Sequence, residues 1–224
     1  MGKDKLRKFA ENETFTCLVQ PDNETMLAGD HPLKGHWNSE IFHNGNPIVL
    51  ELGCGKGEYT IALAQRNPDI NYIGVDIKGA RLWKGAKFAT EHNMPNVAFL
   101  RTRIDFIKAI FGENEVSEIW VTFADPQPKR PNKRLTSPIF LDRYRTFMKH
   151  DGIVNLKTDS LLLHEYTVEV ANEQGLEIIE QNADIYGTGR VTEDDILNVK
   201  TFYEQQFLAQ GKPITYMAFR LNKK

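Results

Sequence analysis

Residues 49–57 read Val-Leu-Glu-Leu-Gly-Cys-Gly-Lys-Gly, an apolar run delivered straight into three alternate glycines. Aliphatic residues in a short block favour a strand, and glycines at 53, 55 and 57 allow the backbone to turn tightly and approach a ligand. A helical pattern follows to residue 66, and the next β-rich run ends in Gly74-Val75-Asp76. Strand, glycine loop, helix, strand and acid, in that order, predict an α/β sheet with a nucleotide-like ligand at the carboxyl ends of its strands.

The alternation continues to the end of the chain. Strands are expected at 48–52, 72–75, 97–100, 119–123, 153–156, 176–179 and 214–221, with helices near 57–66, 79–92, 104–111, 138–149, 160–173 and 195–209. Gly152 and Gly175 fit helix C-terminal stops. Seven strands, the last two closing after a long helix, predict the class I, Rossmann-like methyltransferase version of the doubly wound, mostly parallel sheet. Residues 1–47 are rich in Asn, Asp, Gly and Pro, so they read as an N-terminal arm preceding a methyltransferase domain over 48–224.

The glycine spacing is G-x-G-x-G with Glu58 next, so the dinucleotide pattern G-x-G-x-x-G is not met and a nicotinamide oxidoreductase is remote. Glu51 sits just inside the strand. Its carboxylate would repel a pyrophosphate and attract a sulfonium, which favours S-adenosylmethionine, leaving S-adenosylhomocysteine as product. Asp76 is placed to accept both ribose hydroxyls, or else to cap the helix that follows. Arg103, after the third strand, can stack on the adenine, and Asp105 reads as the cap of the next helix.

The 224-residue chain carries a net charge of -2, and its two cysteines, Cys17 and Cys54, exclude a disulfide framework or a zinc cluster. Cys54 reads as a small filler in the glycine loop. The six histidines show no metal-site spacing, so no metal is expected. No apolar run approaches the roughly 20 residues of a membrane span, and no apolar stretch follows the basic N-terminus, so a cytoplasmic location is expected. The average charge hides an asymmetry: residues 129–149 hold seven basic side chains against one acid, and residues 1–10 four against one. Such segments are either solvated surface or a footprint for a phosphate backbone.

After the fourth strand comes Phe123-Ala-Asp-Pro-Gln-Pro-Lys-Arg-Pro-Asn-Lys-Arg-Leu-Thr136. Three prolines stiffen this loop and hold Asp125 at the strand end, with cations directly after it. A carboxylate beside a cationic loop suits methylation of a group carried on a polyanion.

These residues resemble the bacterial tRNA (guanine-N7-)-methyltransferases. Phe123, Asp125, Pro126, Lys129, Lys133, Arg134 and Leu135 match that family's loop. Lys157-Thr158-Asp159 and Thr201-Phe-Tyr-Glu204 match its later motifs, and the resemblance spans about residues 45 to 221. Gln127 stands where the family carries tryptophan, and the loop is shorter. The resemblance implies methyl transfer to N7 of guanosine 46 in the tRNA variable loop. Alternatives are a methyltransferase of the same fold acting on another RNA or a small molecule, and a non-catalytic RNA-binding protein. Guanine N7 has an in-plane lone pair and no proton, so transfer needs positioning and electrostatics rather than a base. Asp125 would stabilise the charge that develops on the ring, unless it only caps its loop in an Asx turn. Asp159 would accept from guanine N1–H and N2–H₂, or cap the helix at 160. Lys129 would contact phosphate or O6. Thr201 and Glu204 would touch substrate or form a capping box. Lys133, Arg134 and the Lys3–Lys8 segment would grip phosphates. Trp37 and Trp83 read as core residues, with base stacking the alternative. Monomer and homodimer both remain open.

Overall fold

Along residues 48–52 successive side chains point to opposite faces of a strand. Ile48, Leu50 and Leu52 join one apolar cluster with Trp37, Phe111 and Leu156, whereas Val49 joins another with Tyr59, Leu82 and Phe99. All five strand residues are buried, as expected for a parallel sheet covered on both faces.

The computed structural model describes residues 2–222; the side chain of Lys3, one of the expected phosphate contacts, lies outside the described part. The strands are β1 (Leu18–Val19), β2 (Ile48–Leu52), β3 (Asn71–Asp76), β4 (Val97–Arg101), β5 (Val116–Thr122), β6 (Met148–Thr158), β7 (Ile178–Asn182) and β8 (Thr215–Arg220). They form one sheet in the order β1-β4-β3-β2-β5-β6-β8-β7, with β8 antiparallel between β6 and β7. The chain steps outward from β2 to β3 and β4, then returns to β5 on the other side of β2. That reversal opens a crevice at the carboxyl ends of β2 and β5. Helices α1 (Gly2–Asn12), α2 (Asn23–Ala28), α3 (Glu58–Arg66), α4 (Gly79–Glu91), α5 (Pro138–Arg145), α6 (Leu161–Glu173) and α7 (Phe202–Ala209) complete the described residues' helical elements, apart from short 3₁₀ and π turns.

The sheet has eight strands rather than seven, because the arm supplies one. Leu18 and Val19 pair in parallel with Phe99 and Leu100 at the edge. Trp37 is wholly buried, stacked 5.2 Å from Phe111, with its indole N–H donating to Ile110 O at 3.0 Å. The Asn12 amide donates to Gly79 O at 3.0 Å and fastens α1 to the start of α4.

Several element boundaries differ from the expected ones; β6, for one, runs from Met148 to Thr158 where 153–156 is expected. The 104–111 segment is a 3₁₀ helix over Ile104–Ala109. Arg103 occupies the N-cap position, without a side-chain capping bond, and Asp105 serves as an ion-pair partner instead of a cap. Helix α5 ends at Arg145, and Gly152 lies inside β6, where the register against β5 shifts. Gly175, at φ +63°, does terminate α6, with Leu176 N donating to Ala171 O at 2.9 Å.

Candidate active site

The glycine loop is moored to the end of β3. Gly53 N and Cys54 N both donate to Val75 O, at 2.8 and 3.1 Å, and Gly55 N donates to Asp76 Oδ2 at 3.0 Å. Gly53 and Gly55 have left-handed backbones, and a side chain on either would enter open space, so backbone faces the crevice there. At Gly57 packing also matters: a Cβ there would come within 2.5 Å of the Phe99 ring, so the core by itself already requires a glycine at this expected ligand-binding position.

Glu51 lies beneath the loop, 3% exposed. One carboxylate oxygen accepts from Thr60 N at 2.8 Å and from the Thr60 hydroxyl, and the other accepts from the Thr122 hydroxyl. Glu51 thus caps α3 from the neighbouring strand and ties it to the end of β5. Burial raises its pKa to about 7, the hydroxyl and amide donors opposing this and Asp76 adding to it. Unfolding releases that carboxyl to its ordinary range, so folding stability from this group falls as pH rises from the usual carboxylate range towards about 7. A cationic ligand beside Glu51 favours its ionised form. The Kd for S-adenosylmethionine should therefore fall by up to about tenfold per pH unit as pH rises to the Glu51 pKa, then level off. Calorimetric titrations across that range, with Glu51→Gln removing the slope, check this.

Asp76 is placed at the crevice floor. Oδ1 accepts from Lys78 N at 2.7 Å and Oδ2 from Gly55 N, so backbone donors fix the carboxylate while each oxygen keeps a further lone pair. A cavity of about 490 Å³ opens over Asp76, Ile77, Thr102, Arg103, Asp125 and Lys133, and a smaller one of about 90 Å³ over Glu51, Gly53, Thr122, Thr201, Phe202 and Tyr203. Gly53, Arg81 and Phe123 line both, which makes the two a continuous cleft. Ile77, 54% exposed, presents apolar surface beside Asp76. Ile77, Arg81 and Thr122 escaped the sequence reading, although Ile77 directly follows the strand-end acid and Thr122 directly precedes the loop.

Phe123 (φ +49°) and Gln127 (φ +45°) both take left-handed backbones around Asp125. Asp125 is exposed at the rim in an Asx turn: Oδ1 accepts from Gln127 N at 3.0 Å and Oδ2 from the Gln127 amide at 2.8 Å. Gln127 therefore orients the acid. Asp105 gathers Arg143, Arg103 and Lys133 at 3.3, 3.5 and 3.8 Å, leaving that wall of the cleft cationic. Arg103 lies over Phe106, its side chain 55% exposed, and lines the larger cavity.

Arg134 and Glu204 depart from their expected roles. Arg134 is 5% exposed; its Nε donates to Pro126 O at 2.9 Å and its guanidinium lies over the Tyr166 ring. It braces the loop from inside and is out of reach of phosphates. Lys133 is exposed, and Lys129 stands exposed in a turn outside the cleft lining. Lys133→Ala should lower the salt slope of RNA binding by about one unit, whereas Arg134→Ala should instead destabilise the loop. Filter binding over a salt series, paired with thermal melts, separates the two outcomes.

Glu204 is fully buried. It accepts from Lys157, at 2.7 and 2.9 Å, and from the Tyr186 hydroxyl at 2.8 Å, so it does not face the cleft. The Lys157 ammonium also donates to Leu197 O and Val199 O, at 2.7 and 3.1 Å. Those carbonyls turn to the lysine instead of continuing a helix, which splits the expected 195–209 helix into a 3₁₀ turn at Ile196–Asn198 and α7. Thr201 caps α7 by accepting from Glu204 N and also lines the smaller cavity. Asp159 lies outside both linings, 3.6 Å from Lys212, and Ser160 rather than Asp159 caps α6.

Trp83 is half-buried, with Arg7, Lys8 and Lys87 over its ring and its N–H donating to Glu11. Cys54 is buried in the glycine loop, and burial holds its thiol well above the usual range, consistent with a filler. Among the described residues no group of metal-ligating side chains occurs, and no helix is long and apolar enough to cross a membrane.

Residues 45–217 match a family described as "Putative methyltransferase". A tRNA (guanine-N(7)-)-methyltransferase of Christiangramia forsetii is 51% identical over 98% of this chain and 99% of its own length. The chain belongs to the tRNA (guanine-N(7)-)-methyltransferase family. A second family member, from Bacteroides fragilis, is 49% identical over 99% of this chain and 87% of its own length. Among solved structures, the 16S rRNA methyltransferase KamB has a TM-score of 0.63 at 13% identity, covering 82% of this chain and 92% of its own. At that identity the likeness is one of fold: the Rossmann-like class I methyltransferase sheet.

Proposed function

We propose that this family member transfers a methyl group from S-adenosylmethionine to N7 of guanosine 46 in the variable loop of tRNA, in the cytoplasm. The observation that carries this reading is the cleft itself, in which an acid-floored ligand site opens directly onto Asp125 and a cationic wall. The residues fit the cofactor. Asp76, with lone pairs to spare beside apolar Ile77, suits an adenosine, and the open backbone of Gly53 and Gly55 beside Glu51 suits a cationic methionyl group. When bound, S-adenosylmethionine supplies an electrophilic methyl on sulfur. Asp125, held by Gln127, faces the positive charge that grows on the purine ring, and no residue has to remove a proton. Lys133, Arg103 and Arg143, sharing the single Asp105 carboxylate, keep positive charge available for the phosphates that carry the base.

Incubating the protein and S-adenosylmethionine with unmodified tRNA, then cleaving at 7-methylguanosine with borohydride and aniline, tests this. A single new cleavage at position 46 is expected. Cleavage elsewhere revises the position, and methyl transfer that leaves tRNA unlabelled overturns the substrate.

A further inference from the structure

Packing does not account for two rings at the mouth of the smaller cavity. Phe202 and Tyr203 are 47% and 45% exposed, and they are the aromatic members of the exposed large hydrophobics among the described residues. Uncovered aromatic area has an unfavourable hydration cost unless something covers it in the working state. The pair meets edge to face, with centroids 5.6 Å apart and planes at 74°.

Their presentation is fixed from several sides. Thr201 caps the helix that begins with them, Phe202 N donates to Glu58 Oε2 at 2.9 Å, and the neighbouring Glu204 is anchored in the core by Lys157 and Tyr186. Lys56 Nζ lies 4.5 Å from the Phe202 centroid, so a cation accompanies the rings. Across the cleft, the loop 124–134 that carries Asp125 contains no aromatic side chain.

We infer that Phe202 and Tyr203 form a stacking wall that holds the target purine of the RNA at the reacting end of the cleft. The inference rests on the function proposed above and names residues that position its substrate. A splayed-out base offers two π faces to aromatic side chains, whatever its sequence context. Stacking suits this reaction because the N7 lone pair lies in the plane of the ring. A wall against the base's face steadies it and leaves that edge free. Lys56 beside the rings suits the adjoining phosphate.

The test is the double variant Phe202→Leu/Tyr203→Leu, which keeps apolar bulk and removes both π faces, alongside Phe202→Trp as the conservative control. With saturating S-adenosylmethionine, kcat/KM for unmodified tRNA should fall by roughly 5- to 150-fold in the double variant and stay within about threefold of wild type in Phe202→Trp. The Kd for S-adenosylmethionine, measured by calorimetry, should stay within about twofold, and the melting temperature should hold. Undiminished kcat/KM in the double variant, with an active wild type, overturns the inference alone. A cofactor Kd that weakens in step with kcat/KM makes the rings a cofactor wall and also overturns it. A wild-type protein that methylates no tRNA brings down the parent reading and this inference with it.

Discussion

Replacing Asp125 by asparagine should lower kcat by about 10² to 10³-fold, the usual cost of losing one preorganised electrostatic contact to a transition state. Affinities for S-adenosylmethionine and tRNA should change little. Asparagine is the informative substitution because its carbonyl oxygen still accepts from Gln127 N and keeps the Asx turn. The Gln127 amide, which donates to the other carboxylate oxygen, has only to turn over to accept from the new NH₂, so the main loss is the charge. Asp125→Ala removes turn and charge together and should be at least as slow. Single-turnover methylation with saturating enzyme reads the chemical step directly. If Asp125→Asn turned over like wild type while Asp125→Ala did not, the acid would be a loop cap and nothing more.

The largest stability effect is expected at Lys157. Lys157→Met strands the Glu204 carboxylate at zero exposure, and leaving one member of a buried ion pair costs about 3–5 kcal/mol. For a chain of this size that lowers the melting temperature by about 10 °C. Glu204→Leu should cost a similar amount, because it leaves the ammonium with only the Leu197 and Val199 carbonyls. Burial pulls the Lys157 ammonium below its usual range, with Glu204 opposing, so either single loss is also an uncompensated electrostatic change. Combining Lys157→Met with Glu204→Leu should recover much of the loss, and calorimetric melting of the three variants checks the pattern. A drop of under about 1 kcal/mol in Lys157→Met would falsify the idea that this pair fastens the 196–204 segment to the sheet.

The sheet was legible because parallel strands buried on both faces leave dense apolar runs, and residues 48–52, 97–100 and 119–123 are such runs. That Glu51, Asp76 and Asp125 gather at one rim of the sheet was legible because each lies within three residues of the end of a strand, and in a parallel sheet those ends share one edge. The two-residue strand at Leu18–Val19 was not, since its pairing is set by β4 and not by any local period. Arg134 and Glu204 misled for a common reason. A sequence shows that a residue is charged and lies in a motif; it does not show which way the side chain turns. One turned beneath its loop onto Tyr166, the other inward onto Lys157. The break before α7 was hidden likewise, because what interrupts that helix is an ammonium on a strand 40 residues away.

Phe99 sits under the glycine loop, and a β-carbon on Gly57, Gly74 or Gly85 would collide with its ring at 2.5 to 2.8 Å. One benzene ring therefore dictates glycine at three places on three different elements. The four positions are coupled, and an alanine at any of the three needs a smaller Phe99 first and one adjustment more: the Thr60 hydroxyl stands 2.8 Å from a Cβ on Gly74, the Lys56 carbonyl 2.9 Å from one on Gly85, and Gly57 has its own left-handed backbone. Drift among relatives should run in that order, ring first and glycines afterwards.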